Sequence, residues 1–199
     1  PLVFVRNGED LCGDFAGSQK RNQPQKTRNR SRIACVGGGT MTRIGVFSDS
    51  HGDRDALERL LEEMGHVDAA CFLGDISSDA MFLREKLEEM PHQPVLYAVR
   101  GNNDLASMLP DQLLIELGGH KIWMEHGHLV PNLMTLAFRA KDHGADIALF
   151  GHTHEPLCEY AYGVMLLNPG SAGNRCRGGA ARASLLLLDK DKIRVEDVL

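Results

Sequence analysis

The sequence predicts an α/β protein with mixed β-sheet, sheet packed upon sheet and helices flanking, on three observations. From residue 42 to about residue 102, apolar strand-like runs alternate with amphipathic helical stretches. Hairpin-like segments then take over, adding antiparallel pairing to the initial strand–helix alternation. Finally, the strand runs are apolar enough to need cover, which a second sheet and outer helices supply.

Each element follows from its own pattern. "TRIGVFSD" (42–49) is an apolar strand running into a polar end. In "DRDALERLLEEM" (53–64), Leu57, Leu60, Leu61 and Met64 fall at i, i+3, i+4 and i+7, one face of an amphipathic helix. "VDAACFLGD" (67–75) is a second strand, and residues 77–90 a second helix with Ala80, Leu83, Leu87 and Met90 inward. "PVLYAVRGN" (94–102) is a third strand. "LLIELGGHKIWMEHG" (113–127) predicts a hairpin turning at Gly118-Gly119. A third helix (about 132–143) leads to strand "ADIALFG" (145–151), and two more hairpins turn near Tyr162-Gly163 and Asp189-Lys190. No internal repeat is evident.

Composition bounds the function. A chain of 199 residues, 43% hydrophobic and 25% charged, is an ordinary globular protein of about one domain. No run approaches the roughly 18 apolar residues of a membrane span, and no secretory signal is visible. Five cysteines (12, 35, 71, 158, 176) without a C-x-x-C fit reduced thiols and a cytoplasmic location. Residues 1–40 carry seven Lys/Arg against three Asp/Glu, whereas residues 41–199 carry fifteen against twenty-four. The acidic body argues against a broad nucleic-acid surface.

The first forty residues read as a disordered or non-native leader. "SQKRNQPQKTRNRSR" (18–32) is basic and lacks periodicity. "GGGT" before Met41 is what a purine-rich ribosome-binding site encodes when read in frame. Met41 is therefore the expected natural start, and 41–199 the functional domain.

The chemistry gathers at predicted strand ends: Asp49-Ser50-His51, Gly74-Asp75, Gly101-Asn102-Asn103-Asp104, His126-Gly127-His128 and Gly151-His152-Thr153-His154. Ligand sites of α/β sheets lie at such ends. Each piece alone is commonplace; five together, holding five of the nine histidines, are not. A glycine beside each turn permits the sharp bends by which the loops converge. Mixed carboxylate, carboxamide and imidazole ligands suit Mn²⁺, Fe²⁺ or Zn²⁺ better than Mg²⁺ or Ca²⁺. The ligands outnumber what one ion needs, so two are expected.

The order D-x-H, G-D, G-N-x-D, H-G, G-H-x-H, with "NPGS" (168–171) beyond it, resembles the calcineurin-like metallophosphoesterase family from residue 41 to about 180. The short spacing resembles its small bacterial and archaeal phosphodiesterase branch. The resemblance implies a four-layer αββα sandwich of two mixed sheets flanked by helices. It implies a dinuclear centre in which Asp49, His51 and His154 hold one metal. Asn102, His126 and His152 hold the other, and Asp75 bridges the two. Mn²⁺ is the first choice of divalent ion, with Fe²⁺, Zn²⁺ and Ni²⁺ as alternatives. The implied activity is hydrolysis of a small phosphodiester by a metal-bridging hydroxide. Asp75, Asn102, Asn103, Asp104 and His128 are the candidate catalytic residues. Membrane and nucleic-acid partners are not expected, and homo-oligomerisation is open.

Three rival readings rank lower. A scaffold of this fold with a damaged site is disfavoured because all seven ligand positions are filled. A nuclease would need DNA-contacting segments and a basic body. A purely structural zinc site fits poorly with an open, phosphate-facing site. Arg100 and Arg177 are weighed as substrate contacts against plain surface charges. One departure matters: where many phosphatases of the family read G-N-H-[DE], this chain reads "GNND" (101–104). Asn103 cannot serve as a general acid, Asp104 is expected to orient it, and water or His128 is the alternative proton donor.

Overall fold

A computed structural model of the chain describes residues 41–173 and 179–199. The expected leader (1–40) and Arg177 lie outside the described residues.

The elements run β1 (Thr42–Phe47), α1 (Arg54–Met64), β2 (Ala69–Phe72), α2 (Ser77–Glu89), β3 (Val95–Ala98), β4 (Gln112–Leu117) and β5 (His120–Glu125). They continue with α3 (Leu133–Asp142), β6 (Ile147–Leu149), β7 (Leu157–Ala161), β8 (Val164–Asn168), β9 (Ala183–Asp189) and β10 (Lys192–Val198). Every sequence-predicted element is present, most of them one to three residues shorter at an end. The last turn falls at Lys190-Asp191, one residue later than expected. Met90 is only partly buried, and α2 instead turns Asp79 inward beside Ala80, Leu83 and Leu87.

Two five-stranded mixed sheets form, ordered β10-β9-β1-β2-β3 and β4-β5-β6-β8-β7. β1, β2 and β3 pair in parallel, as do β5, β6 and β8, while the hairpins supply the antiparallel edges. The C-terminal hairpin returns to the first sheet, where β9 pairs with β1. Three apolar layers bind the sandwich. α1 and α2 pack on the first sheet through Leu57, Leu60, Leu83 and Leu87. The two sheets meet through Ile44, Val46, Ile122, Met124, Ile147 and Leu149. α3 covers the second sheet through Leu136, Ala137 and Ala140.

The run "LLLL" in β9 shows why sheet upon sheet is needed. Leu185 and Leu187 face the helices, and Leu186 and Leu188 face the other sheet. Alternate side chains point to opposite faces, so a strand buried on both sides reads as continuously apolar. Asp53 caps α1 by accepting from Ala56 N (3.1 Å), and Asn132 caps α3 by accepting from Thr135 N (2.9 Å). Cys71 and Cys158 are free thiols, and complete burial pushes the Cys71 thiol far up. Among the described residues, no helix is long and apolar enough to cross a membrane.

Candidate metal centre

Five strand ends deliver the site: those of β1, β2, β3, β5 and β6. The backbone is bent hard to do so. Eight non-glycine residues among those described have positive φ, and five of them are Asp49 (53°), His51 (49°), Asp75 (61°), His152 (67°) and His154 (61°). The left-handed region costs an L-residue roughly 1–2 kcal/mol, so its concentration here marks a site held by its surroundings. Two glycines let the loops close in. A Cβ on Gly101 would collide with the Asp75 carboxylate, and one on Gly151 with the side chains of Ser48 and Asp49.

The predicted ligands converge in two groups. In the first, His51 Nε2 lies 3.2 Å from His154 Nε2, which is 3.2 Å from Asp49 Oδ1. In the second, His126 Nε2 lies 3.1 Å from Asn102 Oδ1, 3.5 Å from Asp75 Oδ1 and 3.9 Å from Asp49 Oδ1. Asp75 stands between them, its other oxygen 3.9 Å from His51 Nε2. His152 is the least tightly drawn in. Its ring is exposed and centred 5.3 Å from that of His126, while its backbone N–H donates to Asp49 Oδ2 (2.9 Å).

The donor atoms fit cations. His126 Nδ1 faces the Leu73 carbonyl at 2.7 Å, so that nitrogen carries the proton. In the neutral ring, Nε2 then turns a lone pair towards Asn102 Oδ1, Asp75 and Asp49, all of which can accept and coordinate. Asp49 is fully buried; its Oδ2 accepts from Ser48 Oγ (2.6 Å), yet its Oδ1 has no hydrogen-bond partner. Buried polar atoms are normally satisfied. An unpartnered carboxylate oxygen beside two imidazole nitrogens is chemically suited to a divalent ion. Both Asp49 with His51 and His154, and Asp49 with Asp75 and His126, place their ligand atoms within 4.8 Å of one another.

The residues that hold the ligand loops were not legible as such. Asp79, fully buried in the first turn of α2, accepts from Ser50 Oγ and Gly52 N (both 2.7 Å) and pairs with Arg54 Nε (3.3 Å). It thereby clamps the loop that carries Asp49 and His51. Asn168, buried at the end of β8, donates to Gly151 O (2.9 Å) and Thr153 Oγ1 (3.0 Å), fixing the loop of His152 and His154. Ser171 Oγ donates to Asp49 O (2.7 Å). The "NPGS" stretch is thus a brace for two ligand loops. Such outer partners orient metal ligands.

Four other sequence expectations are refined or corrected. Asn103 turns onto the site's own carboxylate: its N–H donates to Asp75 Oδ1 (3.1 Å) and its Nδ2 to Asp75 Oδ2 (2.8 Å). Asp104 does not orient Asn103. Its oxygens accept from Ser77 N (2.6 Å) and Gly101 N (2.8 Å), so it shapes the turn. His128 sits beside the cluster, its ring centred 5.4 Å from that of His126, with a buried Nδ1 lacking a partner. Burial first, then the neighbouring His126 and His152, lower its pKa. A lowered pKa disfavours the doubly protonated ring that a proton donor needs. Arg100 is occupied by Asp111, to which Nε and Nη2 donate at 2.7 and 3.1 Å.

This fold with this ligand order defines a class. Residues 42–192 match the calcineurin-like phosphoesterase superfamily domain, and the chain belongs to that superfamily. It is 34% identical over 140 residues to the probable metallophosphoesterase MJ0623 of Methanocaldococcus jannaschii, covering 67% of this chain and 69% of that protein. It is 29% identical over 181 residues to the phosphodiesterase YfcE of Escherichia coli K12, covering 78% and 91% of the two chains. Among solved structures, a predicted phosphoesterase from Streptococcus pneumoniae TIGR4 superposes with a TM-score of 0.62 at 30% identity, covering 79% of this chain and 88% of that one. The four-layer architecture and the superfamily anticipated from the strand-end motifs are those of the protein.

Proposed function

We propose that this chain is a metal-dependent phosphodiesterase acting on small diesters with good leaving groups, with two divalent cations, Mn²⁺ first, as its cofactors. The observation that carries the proposal is the placement of Asp75 between two donor groups, one oxygen 3.5 Å from His126 Nε2 and the other 3.9 Å from His51 Nε2. Asp49, His51 and His154 would hold one ion and Asn102, His126 and His152 the other, with Asp75 serving both. When bound, such a pair acidifies water to supply hydroxide at neutral pH and neutralises charge on the phosphate.

The chain's own residues do the rest. Asn103 locks both oxygens of Asp75 in place through its N–H and its amide. Gly101 and Gly151 leave room for the carboxylates, and Asp79, Asn168 and Ser171 fix the loops. Among the described residues, Asn103 is a carboxamide already donating to Asp75 and hands no proton to a departing alkoxide, and the lowered pKa of His128 disfavours its acid form. A general acid commonly contributes 10²–10⁴-fold, so the reading favours leaving groups that depart as stable anions. The acidic body favours a small diester over a nucleic acid.

The test is hydrolysis by metal-stripped protein with single divalent ions added back. Mn²⁺ or a similar ion should restore cleavage of bis(p-nitrophenyl) phosphate, and rates across aryl and alkyl diesters should fall steeply as leaving-group pKa rises. Full activity after verified metal removal would refute the reading.

A further inference from the structure

The two carboxylates of the metal centre are held by different patterns of donors. An ionised carboxylate offers about four lone-pair sites, shared equally between its oxygens. Asp49 Oδ2 receives two donors, Ser48 Oγ (2.6 Å) and His152 N (2.9 Å), which fill its share. Asp49 Oδ1 receives no hydrogen bond and faces His154 Nε2 at 3.2 Å and His126 Nε2 at 3.9 Å. Asp75 is arranged otherwise. Its Oδ1 accepts from Asn103 N (3.1 Å) and its Oδ2 from Asn103 Nδ2 (2.8 Å). Each Asp75 oxygen keeps a free lone pair, whereas Asp49 keeps its free lone pairs on one atom.

Ser48 makes that difference. It follows directly on β1 and is fully buried, its carbonyl accepting from Ala172 N (2.8 Å). Gly151 leaves the space for it, since a Cβ there would meet Ser48 Oγ and Asp49 Oδ2. The other donor to Oδ2 is a backbone N–H, so the Ser48 hydroxyl is the side-chain group that closes this oxygen to a cation. The choice of ion turns on it. Ca²⁺ collects about 6–8 oxygen ligands and takes carboxylates through one or both oxygens. Smaller divalent ions with imidazole ligands fill tighter shells, for which one carboxylate oxygen is enough.

We infer that Ser48 is a metal-selectivity residue: by occupying Asp49 Oδ2 it confines Asp49 to one-oxygen ligation and so discriminates against Ca²⁺ in favour of smaller divalent ions. This inference rests on the metal-dependent part of the phosphodiesterase reading and adds how the site chooses its ions.

Calorimetric titration of metal-stripped protein with Mn²⁺ and with Ca²⁺ gives the ratio of the two affinities without any assay of activity. Ser48→Ala frees Oδ2 and should lower the Mn²⁺-over-Ca²⁺ ratio roughly tenfold. Asp79→Asn loosens the same loop but touches neither Asp49 oxygen, so it should weaken both ions and keep the ratio. Parallel losses of both ions in Ser48→Ala, or no change at all, would make Ser48 a structural residue and overturn the inference. Wild type supplies a second readout should the buried substitution fail to fold. Its infrared difference spectrum on adding Mn²⁺ should lack the band of a carboxylate chelating one ion through both oxygens. The presence of that band would also overturn the inference. Wild type that binds neither ion would sink the phosphodiesterase reading and this inference together. The expected ratios without hydrolysis of any diester would sink that reading and leave the role of Ser48 standing.

Discussion

His120 and His126 lie at opposite ends of β5 and are both buried, yet they are different devices. His120 faces two acceptors, the Asp146 carboxylate from Nδ1 and the Asp189 carbonyl from Nε2 at 2.8 Å. Acceptors at both nitrogens favour the imidazolium and raise its pKa, and the ring ties the second sheet to the β9–β10 turn of the first. His126 donates once, to Leu73 O, and turns its other nitrogen on Asn102, Asp75 and Asp49. Burial does not separate a structural histidine from a ligand. What the second nitrogen faces does.

The comparison breaks most sharply in activity. His126→Ala and Asp75→Asn should lower diester hydrolysis to the level seen in chelator, whereas His120→Gln should leave kcat/KM within a fewfold of wild type. Equal losses at the two histidines would erase the distinction. Next comes the clamp on the ligand loop. Asp79→Asn should weaken metal affinity or activity by roughly 10–100-fold, read by metal titration of stripped protein as well as by rate. Unchanged affinity would make Asp79 an ordinary core residue.

Stability carries the smaller effects. Ions that bind only the folded state stabilise it by mass action, about 2.7 kcal/mol at a hundred times Kd. For a domain of this size that is roughly 5–10 °C in Tm. The shift should vanish in His126→Ala and persist in His120→Gln. The smallest effect is a pH slope. Burial pulls the His120 pKa down, but the Asp146 hydrogen bond and the Asp189 carbonyl outweigh it, leaving the group above its ordinary 6.5. Its stabilisation is complete below that value and fades as pH rises through the raised one. Denaturant titrations should show wild type losing stability across this window, a slope that His120→Gln abolishes.

Much of this was legible in the sequence, for physical reasons that differ by residue. The ligands stand out because polar side chains at the ends of apolar strands have no packing role to explain them. Leu57, Leu60, Leu61 and Met64 announce α1 because helical periodicity is a local property. Asp79 announces nothing: an acidic residue in the first turn of a helix is commonplace, and its partners Ser50 and Gly52 are more than 25 residues away. The "NPGS" stretch was visible as a motif, but its bracing of Asp49 and Gly151 depends on contacts that only the folded chain creates. Asp104 was misread for the same reason, since adjacency to Asn103 says nothing of where its oxygens point. The return of β9–β10 to β1 was equally hidden, because a hairpin carries no label for the sheet it joins.

The left-handed backbone at Asp49, His51, Asp75, His152 and His154 has an evolutionary consequence. Selection for folding alone would tend to erase this site, because each of these positions would relax on mutation to glycine. His152→Gly removes an exposed ring from a residue at φ 67° and keeps the backbone N–H that Asp49 uses. In chelator that variant should melt a few degrees above wild type, by roughly 1 kcal/mol, while binding metal more weakly. Five side chains in disfavoured geometry hold the ligand positions against the local preference of the backbone.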